Sequence, residues 1–200
     1  MIRRIVAYLF AVVAGCGIGI GSALGMAGLL PGASQLAFGD VDVGGWRSNF
    51  AIGSKTADPY TRARVARHGL LALAKSEAVY FTRATDNTGE PLREACSYRL
   101  SGGAMPAQWW SVTLYDAASM LPDNADNAPS VDASRSGAGA WEAVIAPTRP
   151  TDAAHWISSR NAGTFDLTLR LYVPQPTLLA RPDAALTPPR IERLACEGGA

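Results

Sequence analysis

From Ile5 to Leu30 no residue carries a charge, and Arg3 and Arg4 stand just before this run. This stretch constrains the chain more than any other. About 20 consecutive apolar residues form a helix that spans the hydrocarbon core of a bilayer. The next Lys or Arg after the two arginines is Arg47. A cationic flank on the N-terminal side alone places that side in the cytoplasm. The expected layout is an uncleaved signal-anchor over 1–33, a linker over 34–45 and an exported domain over 46–200. The chain would then be single-pass in the inner (cytoplasmic) membrane, with its C-terminal domain periplasmic. Two other readings of the segment stay open. Gly25-Met26-Ala27 has the small residues that a signal peptidase needs. Val13-Ala14-Gly15-Cys16 fits a lipoprotein box that would acylate Cys16. The apolar run continues past both sites, as a retained helix would.

Gly15, Gly17, Gly19, Gly21 and Gly25 lie in this segment. Gly17 and Gly21 have the small-xxx-small spacing that lets two helix backbones approach in lipid, so they are candidate helix-packing residues. Glycine is also common in membrane helices, which explains the same residues without a partner. No Gly-x-Gly-x-x-Gly fingerprint is completed and no strand precedes the run, so a dinucleotide site is not expected.

The 200-residue chain carries a formal net charge of +1. No strong field therefore invites nucleic acid, and none is expected as a partner. Cys96 and Cys196 both fall in the exported part, where disulfides persist, and are expected to pair. No His or Cys sits at ligand spacing beside either one, so neither a metal nor another cofactor is expected.

The exported part reads as strands. Trp46 to Ile52 alternates, and Ala78 to Thr85 is β-branched and aromatic before the turn Asp86-Asn87-Thr88-Gly89. Ser97–Ser101, Trp109–Tyr115 and Trp141–Ala146 follow as further strands. Phe165, Leu167, Leu169, Leu171 and Val173 alternate strictly with Asp166, Thr168, Arg170 and Tyr172, one set facing a core. Asp58-Pro59 starts a helix whose stripe is Ala63, Ala66, Leu70 and Leu73, with Arg62, Arg64, Arg67 and His68 on the solvated side. Asp123–Gly139 reads as a long exposed loop, and the tail around Pro188-Pro189 as a surface segment. The fold class is mainly β: an antiparallel β-sandwich, jelly-roll-like, with one short helix and an N-terminal transmembrane helix.

A series of short motifs runs in order along the chain: Gly45-Trp46, Tyr60-x-Arg62-Ala63, Gly69-Leu70, Glu77-Ala78-x-Tyr80-Phe81, Asp86-x-x-Gly89, Trp110-Ser111-Val112-Thr113-Leu114-Tyr115-Asp116 and Leu169-Arg170-Leu171-Tyr172-x-Pro174. Together, from about Gly45 to Arg193, they resemble the bacterial family called domain of unknown function 1214, in its short membrane-anchored form. The resemblance implies a β-sandwich or jelly-roll module. It also implies a companion anchored protein resembling domain of unknown function 1254, because the two are often fused or encoded together. This chain departs from the family pattern in three loops: at His155-Trp156-Ile157-Ser158, at Ala128-Pro129-Ser130 and at Gly137-Ala138-Gly139.

No nucleophile elbow accompanies His68 or His155, so a serine triad is not expected. On the Trp109–Tyr115 strand, Trp110, Val112 and Leu114 share the core face, which leaves Trp109 and Tyr115 on the other. Arg170 and Tyr172 occupy the non-core face of their own strand. Trp109, Tyr115, Arg170 and Tyr172 are therefore the ligand-binding candidates, and no catalytic residue is assigned. The leading expectation is a non-catalytic, membrane-anchored envelope module that binds a partner protein or ligand. The alternative is a periplasmic hydrolase using two of Glu77, Asp86, Glu90, Glu94 and Asp116, which would have to face each other across a cleft.

Overall fold

The computed structural model describes residues 2–27, 39, 41–55, 57–67, 73–137 and 139–196. His68, Gly69, Leu70, Ala138, half of the expected linker and the end of the expected anchor lie outside the described residues.

Helix α1 (Ile2–Met26) carries no charge after Arg3 and Arg4, with a mean hydropathy of 2.0 in its best window and none of that window buried. By length and composition it can cross a membrane, and a single-pass anchor and a signal sequence both fit it. At its C-terminal end Arg64 Nε donates to the carbonyl of Met26 at 2.7 Å. The last carbonyls of a helix lack intrahelical partners, and a cation there also opposes the helix dipole.

The remaining chain forms two sheets around one core. The first contains β1 (Val41–Val43), β2 (Trp46–Ser48), β3 (Ala78–Arg83), β5 (Ala107–Asp116), β6 (Ser130–Asp132) and β9 (Phe165–Pro174), in the order β1-β2-β3-β9-β5-β6. The second contains β4 (Cys96–Gly102), β7 (Trp141–Ala146), β8 (Trp156–Ser158) and β10 (Arg190–Cys196), in the order β10-β4-β7-β8. The core lies between the sheets. Val79, Phe81, Trp110, Val112, Leu114, Leu167, Leu169 and Leu171 from the first meet Tyr98, Leu100, Ile145, Ile157 and Ile191 from the second. Each buried leucine-sized side chain contributes about 1.5–3 kcal/mol by leaving water. Trp110 and Trp141 stack across the gap with ring centroids 4.4 Å apart. Trp141 also lies so close over Gly102, its cross-strand partner, that a Cβ there would fall 2.6 Å from the indole.

Cys96 and Cys196 are joined by a disulfide that locks β10 onto β4 at the end of their ladder. Cys16 is a free thiol on α1.

The structure differs from the sequence expectation at several points. The second sheet is mixed, because β7 and β8 run parallel. The crossover between them, residues 147–155, has no helix of its own and returns the chain to the same end of the sheet. Among the described residues four short helices follow α1 rather than one: α2 (Pro59–Arg67), α3 (Ala133–Ser136), α4 (Pro176–Ala180) and α5 (Pro182–Ala185). The expected loop at Asp123–Gly139 contains β6 and α3, and the expected surface tail contains β10. Val173 does not join the core. Its φ of 48° lies in the left-handed region, which turns its side chain out of the alternation and leaves it 48% exposed. The strand expected over Trp46–Ile52 ends at Ser48, and Phe50 reaches the core from a turn, edge-on to Phe81 at 6.1 Å.

Candidate binding face

Strand register fixes the outward face of the six-stranded sheet. Trp109 pairs with Tyr172, Ser111 with Arg170, Thr113 with Thr168 and Tyr115 with Asp166. The rows extend sideways to Asp132 beside Ser111, to Tyr80 beside Arg170 and to Thr82 beside Thr168. The four sequence candidates Trp109, Tyr115, Arg170 and Tyr172 thus share one face of two adjacent strands, at opposite ends of a polar ladder.

The aromatic end is anchored by side chains. Trp109 and Tyr172 meet edge to face with centroids 5.3 Å apart. Trp109 Nε1 donates to Ser134 Oγ at 2.9 Å, and the residue remains 37% exposed. Ser134 is placed by α3, whose first N–H groups are capped by Asp132. On the other side of Tyr172, a small apolar cluster of Ile52, Ala78 and Tyr80, with Val65 of α2, covers part of the face.

The charged end is tighter. Arg170 Nη2 donates to Tyr115 Oη at 2.6 Å, and the guanidinium carbon is 5.2 Å from the Tyr115 ring centroid. Arg170 and Tyr115 belong to rows two steps apart, so this bond draws the arginine across the Thr113–Thr168 row. Thr168 is fully buried and Thr113 nearly so, although neither points into the sandwich core. The threonine row also bonds internally, Thr82 Oγ1 to Thr168 Oγ1 at 3.2 Å.

Asp166, paired with Tyr115, was not singled out by sequence reasoning. It is 2% exposed, and its Oδ1 has no hydrogen-bond partner. Burial, and after it the charge of Asp116, raise its pKa to about 7 against the opposing charge of Arg170. A carboxyl in this setting donates through O–H when protonated and accepts when ionised. The only sequence signal was an Asp on the non-core face of an otherwise strict alternation. Its desolvation depends on neighbours brought in from β5.

The carboxylates of the hydrolase reading do not assemble into a facing pair. Glu77 accepts from the N–H of Ala74, Glu94 from those of Asn161 and Gly163, and Asp116 from those of Ala118 and Met120. Asp86, buried in the β3–β4 turn, accepts from Thr88 and Glu90. Its Oδ2 lies 2.7 Å from Arg193 Nη2, an ion pair without hydrogen-bond alignment. Each of these carboxylates holds its own turn or strand end. Glu90 is exposed. Asp116 does lie near enough to Asp166 to raise its pKa, but both hydrogen bonds of its Oδ1 serve the turn that follows β5.

Two sheets enclosing one core, with a polar-aromatic ladder on an outward face, define a β-sandwich module with a candidate binding surface. The family model described as a protein of unknown function, DUF1214, matches residues 77–176, and the chain belongs to that family. The match includes β3, β5 and β9, and hence the whole ladder. Among solved structures, the chain is similar to the VPA0106 protein from Vibrio parahaemolyticus, with 19% identity and a TM-score of 0.54 over 70% of this chain and 36% of that one. It is also similar to a putative uncharacterized protein from Burkholderia cenocepacia, with 15% identity and a TM-score of 0.48 over 76% of this chain and 35% of that one. The chain thus spans about a third of the length of these structures, and the first likeness shows the fold alone. No curated protein matches the chain.

Proposed function

We propose that this chain is a non-catalytic envelope module, held on the periplasmic side of the inner membrane by α1, which binds a ligand or partner protein through the outward face of its six-stranded sheet. One observation carries this reading: a buried carboxyl, Asp166, lies on that outward face with one oxygen unpartnered. Unsatisfied buried polar atoms are rare and call for an explanation, and a bound donor supplies one. Arg170 and Tyr115 lie over that end, and the half-exposed Trp109–Tyr172 pair offers an apolar platform at the other. The expected partner is a companion anchored protein resembling domain of unknown function 1254. Gly17 and Gly21 support contact within the membrane, because the space beside each is open in the chain alone.

The test is co-purification from membranes in mild detergent, comparing the wild type with the double variant Trp109→Ala, Arg170→Gln. The wild type should carry a ligand or partner that the variant loses, while the thermal melt shows the variant still folded. Recovery of the same material with both proteins would refute the face as the binding surface.

A further inference from the structure

A cleft of about 270 Å3 opens away from the ladder, where the edge strands of the two sheets meet. β6 is the edge of one sheet and β8 the edge of the other. The N–H of Ser158 donates to the Ala128 carbonyl at 2.8 Å across this seam. Arg135 of α3 stands on one wall, and the β7–β8 crossover supplies Arg149 and His155 on the other. Trp156, half-buried, lines the cleft beside them, and its Nε1 donates to the Ala146 carbonyl at 2.9 Å, which fixes the ring. None of Trp109, Tyr115, Asp166, Arg170 and Tyr172 lines this cleft.

The charges here do not cancel. Asp126 accepts from Ser158 Oγ at 2.6 Å and pairs with Arg160 at 3.1 Å. Asp132 is occupied by Arg135 at 3.1 Å. Arg149 is exposed, and among the described residues its side chain has no hydrogen bond or ion pair. Two acids already matched by two arginines leave the Arg149 charge over, with His155 beside it. A planar guanidinium with all its donors free suits a carboxylate or phosphate, which it can grip with two parallel bonds. An indole face suits the C–H face of a sugar ring, and Asn127 and Ser130 in the lining offer hydrogen bonds to its hydroxyls. The volume suits one such ring, near the small end for ligand pockets.

We propose that this seam cleft binds an anionic monosaccharide, with Arg149 holding its carboxylate or phosphate and Trp156 its ring. The site is separate from the outward face and stands whether or not that face binds anything. Titration calorimetry on the full-length protein in detergent micelles tests it with glucuronate, glucose 6-phosphate and neutral glucose. At least one anionic sugar should bind saturably and at least tenfold more tightly than glucose, and which one binds identifies the anionic group. Arg149→Gln should weaken that binding at least tenfold. Arg190→Gln, which removes a charge from the opposite edge of the same sheet, should leave it within twofold. The proposal is overturned if neither anionic sugar binds, if glucose binds as well as they do, or if Arg149→Gln and Arg190→Gln have equal effects.

Discussion

Asp166 shows how one residue can sit in plain view in a sequence and still be missed. The alternation Phe165 to Tyr172 places it on the outward face, where an Asp is ordinarily solvated. What removes it from water is three-dimensional: Arg170 leaning across the sheet toward Tyr115, and the neighbouring strand carrying Asp116. Its native pKa of about 7 lies above the ordinary aspartate value, which an unfolded chain retains. Below about pH 4 both states hold the proton and the group costs nothing. As pH rises toward 7 the unfolded state ionises while the native state keeps its proton, so stability falls. Above 7 both are ionised and the loss levels off. At about 1.4 kcal/mol per pH unit the loss reaches roughly 2–4 kcal/mol. Asp166→Asn keeps the shape without the titration. Its melting temperature should match the wild type near pH 4 and exceed it at pH 8, and an equal difference at both pH values would show that Asp166 is not the titrating group.

At the scale of elements, legibility followed burial pattern and length. β5 and β9 are long and place apolar residues on the core face at every second position, so period-2 reading found them. β10 buries only Ile191, so an edge strand gave no alternation, and Pro188-Pro189 before it suggested a tail. β6 and β8, three residues each, are too short for any periodic signal. The parallel β7–β8 pair was illegible for a related reason, since parallel neighbours normally announce themselves by a helix between them and here only a loop crosses. The disulfide was legible from compartment alone, without knowledge that β4 and β10 are neighbours. With the cysteines 100 positions apart in sequence, the chain-entropy model gives a stabilisation of about 4–5 kcal/mol. Urea unfolding with and without reductant should therefore show a clear fall in midpoint on reduction. An unchanged midpoint would mean that the cross-link does not limit the unfolded chain.

For the whole molecule, a membrane-competent helix and a strand-rich domain were readable from charge distribution and periodicity. The face carrying Trp109, Tyr115, Arg170 and Tyr172 was readable as well, because a strand's two faces are fixed by parity. The seam cleft was not, because it depends on two sheet edges meeting and on loops between them. If α1 is retained and packs against a companion's helix, both domains share a thin layer beside the membrane. Even a weak contact then gains from high effective concentration. Replacing Gly17 and Gly21 together with Leu should leave insertion intact, since leucine is favourable in lipid. Cross-linking to the companion should drop several-fold. Equal cross-linking before and after would move the contact to the exported domain, and no cross-linked partner in either form would sink the pairing.

The cross-link at the end of β10 also has a mechanical meaning. A machine that hauls on the chain from beyond Cys196 would normally unzip an edge strand one pair at a time, starting from the pair nearest the pull. Here that first pair is Cys196 opposite Cys96, and it is covalent. The load therefore passes directly to β4, which is flanked on both sides by β10 and β7. A pull from this end therefore loads both ladders of β4 together, and while the bond is intact it finds no lone edge ladder to peel.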